Sequence, residues 1–225
     1  MSGRVTGGSR PVVEPKTTVH LLRHGEVANP DGLLYGRLPG FRLSAAGVEM
    51  AKVASHFFAG RDVTGLYTSP LDRARQTAEP LSALTGLTAV LEPRVIESEN
   101  VFEGTRVGVG DGVLRDPRNW RYLWNPFRPS WGEPYATVAT RVLAAVDEAR
   151  IEHLGHEVII VTHQLPVVLA RRRAEGRALW HRPDRRQCAL ASVTSLVYAG
   201  DHLVRVGYAE PASAVVATQR AAVGA

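Results

Sequence analysis

Two histidines and two arginines stand at places in this chain where side chains could converge. Arg23-His24-Gly25-Glu26 directly follows the apolar run Val19-His20-Leu21-Leu22. That run reads as a short buried strand, so Arg23 and His24 emerge at its carboxyl end, where ligands bind in open parallel α/β sheets. A cation beside a nucleophile-capable imidazole, followed by a glycine that lets backbone approach a ligand, suits an anionic substrate. Taken alone, the pair also reads as a solvated strand end. Its meaning depends on partners at equivalent positions.

Two such partners occur. Glu157-Val158-Ile159-Ile160-Val161-Thr162-His163-Gln164 is a β-branched strand delivering a second histidine, and a helix from Gln164 to Arg173 follows, with Leu165, Val168 and Leu169 on one face. The free N–H groups and partial positive charge of a helix start favour phosphate oxygens beside His163. In Gly65-Leu66-Tyr67-Thr68-Ser69-Pro70-Leu71-Asp72-Arg73-Ala74-Arg75-Gln76-Thr77-Ala78 a strand ends at Thr68. Ser69 is the expected cap, Pro70 the first helical residue, and Arg73 lies in the first turn. Three strand ends thus offer His24, His163, Arg23 and Arg73 to one cleft.

The pieces Leu22 to Glu26, Thr68 to Ala78 and Val161-Thr162-His163 resemble the three main signatures of the histidine phosphatase superfamily, the phosphoglycerate mutase-like group that transfers phosphoryl groups through a phosphohistidine. The resemblance runs from about Thr18 to Tyr208, and Tyr35 to Ser44 resembles an actinobacterial branch, most of it functionally unassigned. It implies an α/β fold, a mainly parallel sheet with helices on both faces (a phosphoglycerate mutase-like three-layer sandwich). It also implies that His24 is the nucleophile, while Arg23, Arg73 and His163 line the pocket and neutralise phosphate oxygens. Such chemistry needs cations because the loose phosphoryl-transfer transition state spreads charge over the equatorial oxygens. Arginine can give a phosphate two parallel hydrogen bonds, and surrounding cations hold His24 neutral and therefore nucleophilic.

The family also places an acid after its fourth strand, and Arg94 to Gly104 fits that place. Glu97, after Val95-Ile96, is the expected general acid and then base toward water. The spacing from Glu97 to Gly104 is one residue short of the common pattern, which makes Glu99 a rival; Glu103 reads as a turn residue. Asn29, one position earlier than the family's pocket asparagine, is an expected phosphate contact with Arg37 and Gln164, the last standing where many relatives have glycine. Glu26 is expected to orient backbone or an arginine.

These assignments imply a metal-independent phosphomonoester hydrolase without cofactors. A phosphoglycerate-type mutase would use the same His24 but return the phosphoryl group to bound product; the chain lacks the arginine-rich insertion with which typical mutases hold a substrate carboxylate. A non-catalytic module binding phosphorylated ligands is the third reading, and the intact set His24, Arg73, His163 and Glu97 weighs against it. The expected partner is a small-molecule phosphomonoester. A homo-oligomer is compatible with the sequence.

Composition narrows the classes. The 225 residues carry 27 Lys+Arg against 22 Asp+Glu, a net charge of +5, and only Lys16 and Lys52 are lysines. The basic residues are scattered without aromatic interleaving, which argues against nucleic acid. Two clusters are exceptions. Arg171-Arg172-Arg173 reads as a helix carboxyl-terminal turn, and Arg182 to Arg186 as an exposed loop. The single cysteine, Cys188, excludes an internal disulfide framework, and no CxxC metal site occurs. No apolar run approaches the roughly 18 residues of a membrane span, and no signal-peptide core is visible, so a cytoplasmic location is expected.

The positioning elements follow from periodicity. A helix is expected from Ser44 through Phe58, with Val48, Ala51, Ala54, Phe57 and Phe58 near one face and Gly60 stopping it. A longer one opens at Pro134, carries Tyr135, Val138, Ala139, Val142, Leu143 and Val146 as its stripe, and ends near Gly155. Ser192 to Tyr198 and His202 to Val206 form a hairpin around Gly200-Asp201. The chain is expected to divide into a flexible tail (1–16), the catalytic domain (17–210) and a second tail (211–225). Within the domain, 104–133 is the expected lid, with Trp120, Trp124, Phe127 and Trp131 as its packing residues and Arg106, Arg121 and Arg128 as candidates for substrate acid groups. His20 and His24 would share a metal-binding helix face at their spacing of four, but a strand sets them ~13 Å apart. His153, His156, His181 and His202 read as surface residues.

Overall fold

A computed structural model describes residues 15–106, 132–215 and 217. The expected tail over the first fourteen residues, most of the expected lid with its tryptophans, Arg121 and Arg128, and the end of the chain lie outside the described residues.

Six strands form one sheet: β1 (Lys16–Arg23), β2 (Val63–Thr68), β3 (Val90–Leu91), β4 (Glu157–Thr162), β5 (Val193–Ala199) and β6 (His202–Ala209), in the spatial order β3-β2-β4-β1-β5-β6. The first four in that order run parallel, and the β5–β6 hairpin adds antiparallel to β1. Helices α1 (Ala45–His56), α2 (Asp72–Thr85), α3 (Tyr135–Glu152) and α4 (Gln164–Ala174) cover the two faces.

The central strands are apolar on both faces, as covered parallel strands must be. Side chains alternate across a strand, so Val19, Leu21, Val158 and Ile160 pack into one core with Val138, Val142 and Val146 of α3 and Val167 and Leu169 of α4. Leu22, Ile159 and Val161 enter the other core, with Met50 and Ala54 of α1 and Ala74, Ala78 and Leu81 of α2. Each such fully buried Val, Leu or Ile contributes about 1.5–3 kcal/mol. The result is the expected three-layer α/β architecture. Ala212, within the expected carboxyl-terminal tail, is buried in the second core.

Local signals agree with most of the boundaries. Ser44 caps α1 by accepting the Gly47 N–H, and Gly60, at φ 73°, lies just beyond the helix. Val48, expected on the buried face, is 40% exposed, because Gly47, Met50, Ala51 and Ala54 face the core instead. The start of α2 is also displaced. Leu71 is the residue before its first turn and no side chain caps it; Ser69 lies two residues further out. Lys16 belongs to β1 rather than to a tail.

Two glycines bring the loop after β1 against the start of α1. A Cβ on Gly25 would lie 2.5 Å from the Gly47 carbonyl oxygen, and a Cβ on Gly47 would overlap the Glu26 carbonyl. Glu26 itself accepts a 2.7 Å hydrogen bond from the Ser44 hydroxyl, so it anchors the helix cap rather than an arginine. Gly47→Ala is expected to destabilise the fold by about 2 kcal/mol, lowering the melting temperature by roughly 4–8 °C in a thermal scan. An unchanged melting temperature would show that this contact is not tight.

Candidate active site

The site is a consequence of strand register. In the sheet Arg23 pairs with Thr162, and Thr68 pairs with Val161, so the three chains leave the sheet side by side. The next residues are His24, His163 and Ser69. Their backbones stay hydrogen-bonded: the His24 N–H donates to the Thr162 carbonyl (3.0 Å) and the Ser69 N–H to the Val161 carbonyl (2.9 Å). The rings of His24 and His163 meet edge to face, with centroids 5.1 Å apart.

His24 is 2% exposed. Its Nδ1 lies 2.8 Å from the Gly25 carbonyl, which can only accept, so Nδ1 carries the proton and Nε2 keeps its lone pair. Burial, then Arg73, then Arg23 hold the imidazole well below the 6.5 usual for histidine. The expectation from sequence attributed this to the cations; loss of water contributes more. Thr77 joins α2 to the histidine loop, accepting from the Gly25 N–H (3.2 Å) and donating to the Arg73 carbonyl (2.7 Å).

The cations are fixed by backbone carbonyls. Arg73, 1% exposed, donates to the Gly36 carbonyl (2.6 Å) and lies 4.7 Å from the Tyr35 ring centre. Arg23 donates to the Cys188 carbonyl at 2.6 Å. His163 is fully buried, and its Nε2 is 2.7 Å from the Ser69 hydroxyl. Ser69, expected to cap a helix, thus supports the second histidine. Arg23 Nε, Arg73 Nε and His163 Nδ1 are buried and have no hydrogen-bond partner among the described residues. Buried polar nitrogens without partners are costly in a folded protein. Arg23 lines the cavity in front of His24, whereas Arg73 and His163 are not among its lining residues.

A cavity of about 230 Å³ opens in front of His24, lined by Arg23, Tyr35, Glu97, Tyr135, Gln164 and Arg186 among others. Glu97 forms part of its wall. Burial raises its carboxyl above the 4.5 usual for glutamate, although the Ser98 N–H, Arg73, Arg23 and Arg186 pull the other way. Glu99 also touches the cavity, but its side chain is 67% exposed and paired with Arg37 at 2.7 Å. Glu103 accepts from the Asn100 N–H, closing a turn as expected. The segment carrying these residues follows β3, the third strand in chain order rather than the fourth.

Asn29 and Arg37 do not line this cavity. The Asn29 amide is used on both sides by its own loop, donating to the Leu33 carbonyl and accepting the Leu33 N–H. Arg37 turns to the acid-bearing segment: it donates to the Glu97 carbonyl (2.7 Å), Glu99 and Glu133. Gln164 does line the cavity, and its Oε1 is 3.4 Å from Arg186.

Several contributors were not anticipated from sequence. Arg186 belongs to the cluster expected to form an exposed loop, yet it turns into the cavity wall. Arg141 donates to the carbonyls of Arg94 (2.5 Å) and Ile96 (2.7 Å) and to both oxygens of Glu133 (2.8 and 2.9 Å). The available signal was an arginine set among Val138, Ala139 and Val142 on a helix, where a buried arginine must find acceptors. His153 and His181 are half-buried rather than superficial; His153 bonds Thr64 and Tyr67. His20 lies within β1, not on a helix, and is buried against Ser195 and Glu157. No group of three or more His, Cys, Asp or Glu side chains among the described residues is placed to hold a metal ion. No described helix is long and apolar enough to cross a membrane.

A mostly parallel α/β sheet brings His24 and His163 to adjoining strand ends, with Arg23 beside them and Arg73 in the first turn of α2. The family model for the histidine phosphatase superfamily (branch 1) matches residues 19–210, and the chain belongs to that superfamily. An uncharacterised protein of Mycobacterium tuberculosis is 56% identical over 198 residues, covering 88% of this chain and 98% of its own length. Phosphoserine phosphatase 1 of Hydrogenobacter thermophilus is 30% identical over 65% of this chain and 71% of its own. Among solved structures, a phosphoglycerate mutase from Bacillus anthracis superposes with a TM-score of 0.68 at 20% identity, covering 93% of this chain and all of that one. The fold is therefore phosphoglycerate mutase-like.

Removing the Ser69 hydroxyl leaves His163 Nε2 buried without a partner. Ser69→Ala is expected to lower stability by about 1–2 kcal/mol, read as a shifted urea midpoint at unchanged slope. A midpoint equal to that of the unmodified chain would mean that the hydrogen bond contributes nothing.

Proposed function

We propose that the protein is a metal-independent phosphomonoester hydrolase working through a phosphohistidine on His24. One observation carries this reading: a buried imidazole, its Nδ1 bonded to Gly25, meets the His163 ring, and buried nitrogens of Arg23, Arg73 and His163 have no hydrogen-bond partner among the described residues. That arrangement suits a nucleophile facing an anionic phosphorus centre.

In the first transfer His24 Nε2 attacks phosphorus, the N–P bond forms and the bond to the leaving oxygen breaks. Arg23, Arg73 and His163 stabilise the charge on the equatorial oxygens. Glu97, its proton affinity raised above the usual glutamate range by burial, gives its proton to the leaving oxygen. In the second transfer the Glu97 carboxylate takes a proton from water. The water oxygen bonds phosphorus, the N–P bond breaks, and phosphate leaves with His24 neutral again. The exposed Glu99, neutralised by Arg37, is less suited to this work than Glu97. Gln164 and Arg186 are the proposed contacts to the rest of the substrate, a small phosphorylated molecule. The similarity to a named phosphatase favours turnover over binding alone.

The protein is expected to release phosphate from p-nitrophenyl phosphate with or without EDTA, and His24→Ala to reduce the rate by at least roughly a thousandfold. A retained rate in that variant, or EDTA sensitivity, would sink the mechanism. Faster interconversion of phosphoglycerates than phosphate release would identify a mutase instead, and phosphoester affinity without turnover a binding module.

The pH profile has a defined sign. His24 must be neutral, and its proton affinity is depressed, so the acid limb of kcat/KM is expected below pH 6.5. Glu97 must be protonated, and its pKa is raised, so the alkaline limb is expected above pH 4.5. Glu97→Gln should remove the alkaline limb and cost about a hundredfold in kcat, while Glu99→Gln keeps both limbs. The reverse pattern would transfer the acid role to Glu99.

A further inference from the structure

Beside the catalytic cavity lies a second one of about 170 Å³, whose lining includes Arg171, Arg172, Arg177, Arg185, Arg186 and His181. The two basic clusters that are separate in sequence are neighbours here: Arg171 and Arg172 come from the last turn of α4, the others from the chain between α4 and β5. Arg186 lines both cavities. Its orientation is set by His181, which uses Nδ1 to donate to the Leu179 carbonyl (2.7 Å) and therefore accepts from Arg186 Nε at 2.9 Å. The His181 ring stacks on Tyr135, itself part of the catalytic cavity, at 5.6 Å between centres.

Charge around this second cavity is one-sided. Glu175 pairs with Arg171 (3.0 Å) and Arg177 (3.1 Å). Arg172 bonds only the carbonyls of Ala178 and Trp180, and neither Arg172, Arg185 nor Arg186 forms an ion pair among the described residues. The carboxyl end of α4 favours cations and accounts for Arg171 and Arg172. It does not account for Arg177, Arg185 and Arg186 gathering at the same place, because like charges repel. The room available is several times the roughly 30 Å³ of a water molecule, and planar guanidinium forks match tetrahedral oxyanions.

The geometry points to a second anion site in this cavity, binding a phosphate group and joined to the catalytic cavity through Arg186. The phosphate is either a second group on the substrate or a separate ion, and the two sources share one recognition chemistry. The location of the site beside the leaving-group side of the cavity rests on the phosphatase reading; the anion site itself does not.

The test is binding of inorganic phosphate to the full chain by equilibrium dialysis, with Arg172→Gln/Arg177→Gln and, as a milder variant, Arg185→Gln. The double variant is expected to bind one phosphate fewer per chain, and Arg185→Gln to weaken that same phosphate. Both are expected to keep the rate on p-nitrophenyl phosphate within twofold. Equal phosphate binding by the unmodified chain and Arg185→Gln, and by the double variant where it folds, would overturn the site. Fructose 1,6-bisphosphate against fructose 6-phosphate separates the sources. A preference for the bisphosphate in kcat/KM that falls about tenfold in the variants assigns the site to the substrate. An unchanged preference, with the extra phosphate still lost, assigns it to a separate ion. A chain that fails to hydrolyse p-nitrophenyl phosphate, while its variants still lose a phosphate, would refute the phosphatase reading and leave the anion site standing.

Discussion

The cost of burying positive charge governs much of this structure. Arg73 is almost wholly removed from water, and no carboxylate lies within ion-pair distance of it or of Arg23 among the described residues. An isolated buried cation is expensive, so the surrounding chain must supply acceptors. It does so with carbonyls and a ring: Gly36 and Tyr35 for Arg73, Cys188 for Arg23. Those partners come from loops after β1 and before β5, which explains why these loops fold back over the strand ends. Gly36, at φ 35°, permits this approach, since a Cβ there would overlap the Glu103 side chain. A carboxylate pairing with Arg73 would stabilise the cation more cheaply, and would also occupy the groups an anion needs.

The acid side of the cavity is held by a different device. Arg37 and Arg141 converge on the Glu97 carbonyl and share Glu133, so the segment from Arg94 to Glu99 is clasped from both sides. Glu133 lies just before α3, and its own N–H donates to the Glu99 carbonyl at 3.1 Å. The cations here pair with Glu133 and Glu99, and among the described residues no guanidinium forms an ion pair with the Glu97 carboxyl. Two kinds of arginine emerge: those withheld from carboxylates near His24, and those spent on them around Glu97.

Much of this is legible in the sequence. The β-branched and apolar runs ending at Arg23, Thr68 and Thr162 are strands at nearly those boundaries, and the helical stripes of α1 and α3 bury most of the residues they nominate. Ser44 marks a helix start because its side chain accepts an N–H left free there, whereas α1 ends at His56, short of the expected stop at Gly60. Failures occurred where a side chain had a tertiary use that outweighed its local one. Ser69 could cap a helix, but supports His163. Val48 fits the helical period, yet Gly47 takes the close contact with Glu26. Arg37 and Arg186 exchanged their expected settings because long side chains reach whichever acceptor the fold brings near, and sequence spacing does not measure that reach.

By itself the sequence determined the architecture and the superfamily, through histidines and arginines placed at or just after the ends of apolar strands. This is possible because strand and helix periodicity, capping and residue type are local properties. Only the tertiary structure decided which groups share a cavity. The pairing of Arg23 with Thr162 and of Thr68 with Val161 sets His24, His163 and Ser69 side by side, and burial lowers the proton affinity of His24 and raises that of Glu97. It also joined two distant arginine clusters around a second cavity. Register, desolvation and charge proximity depend on residues far apart in the chain, so no local reading contains them.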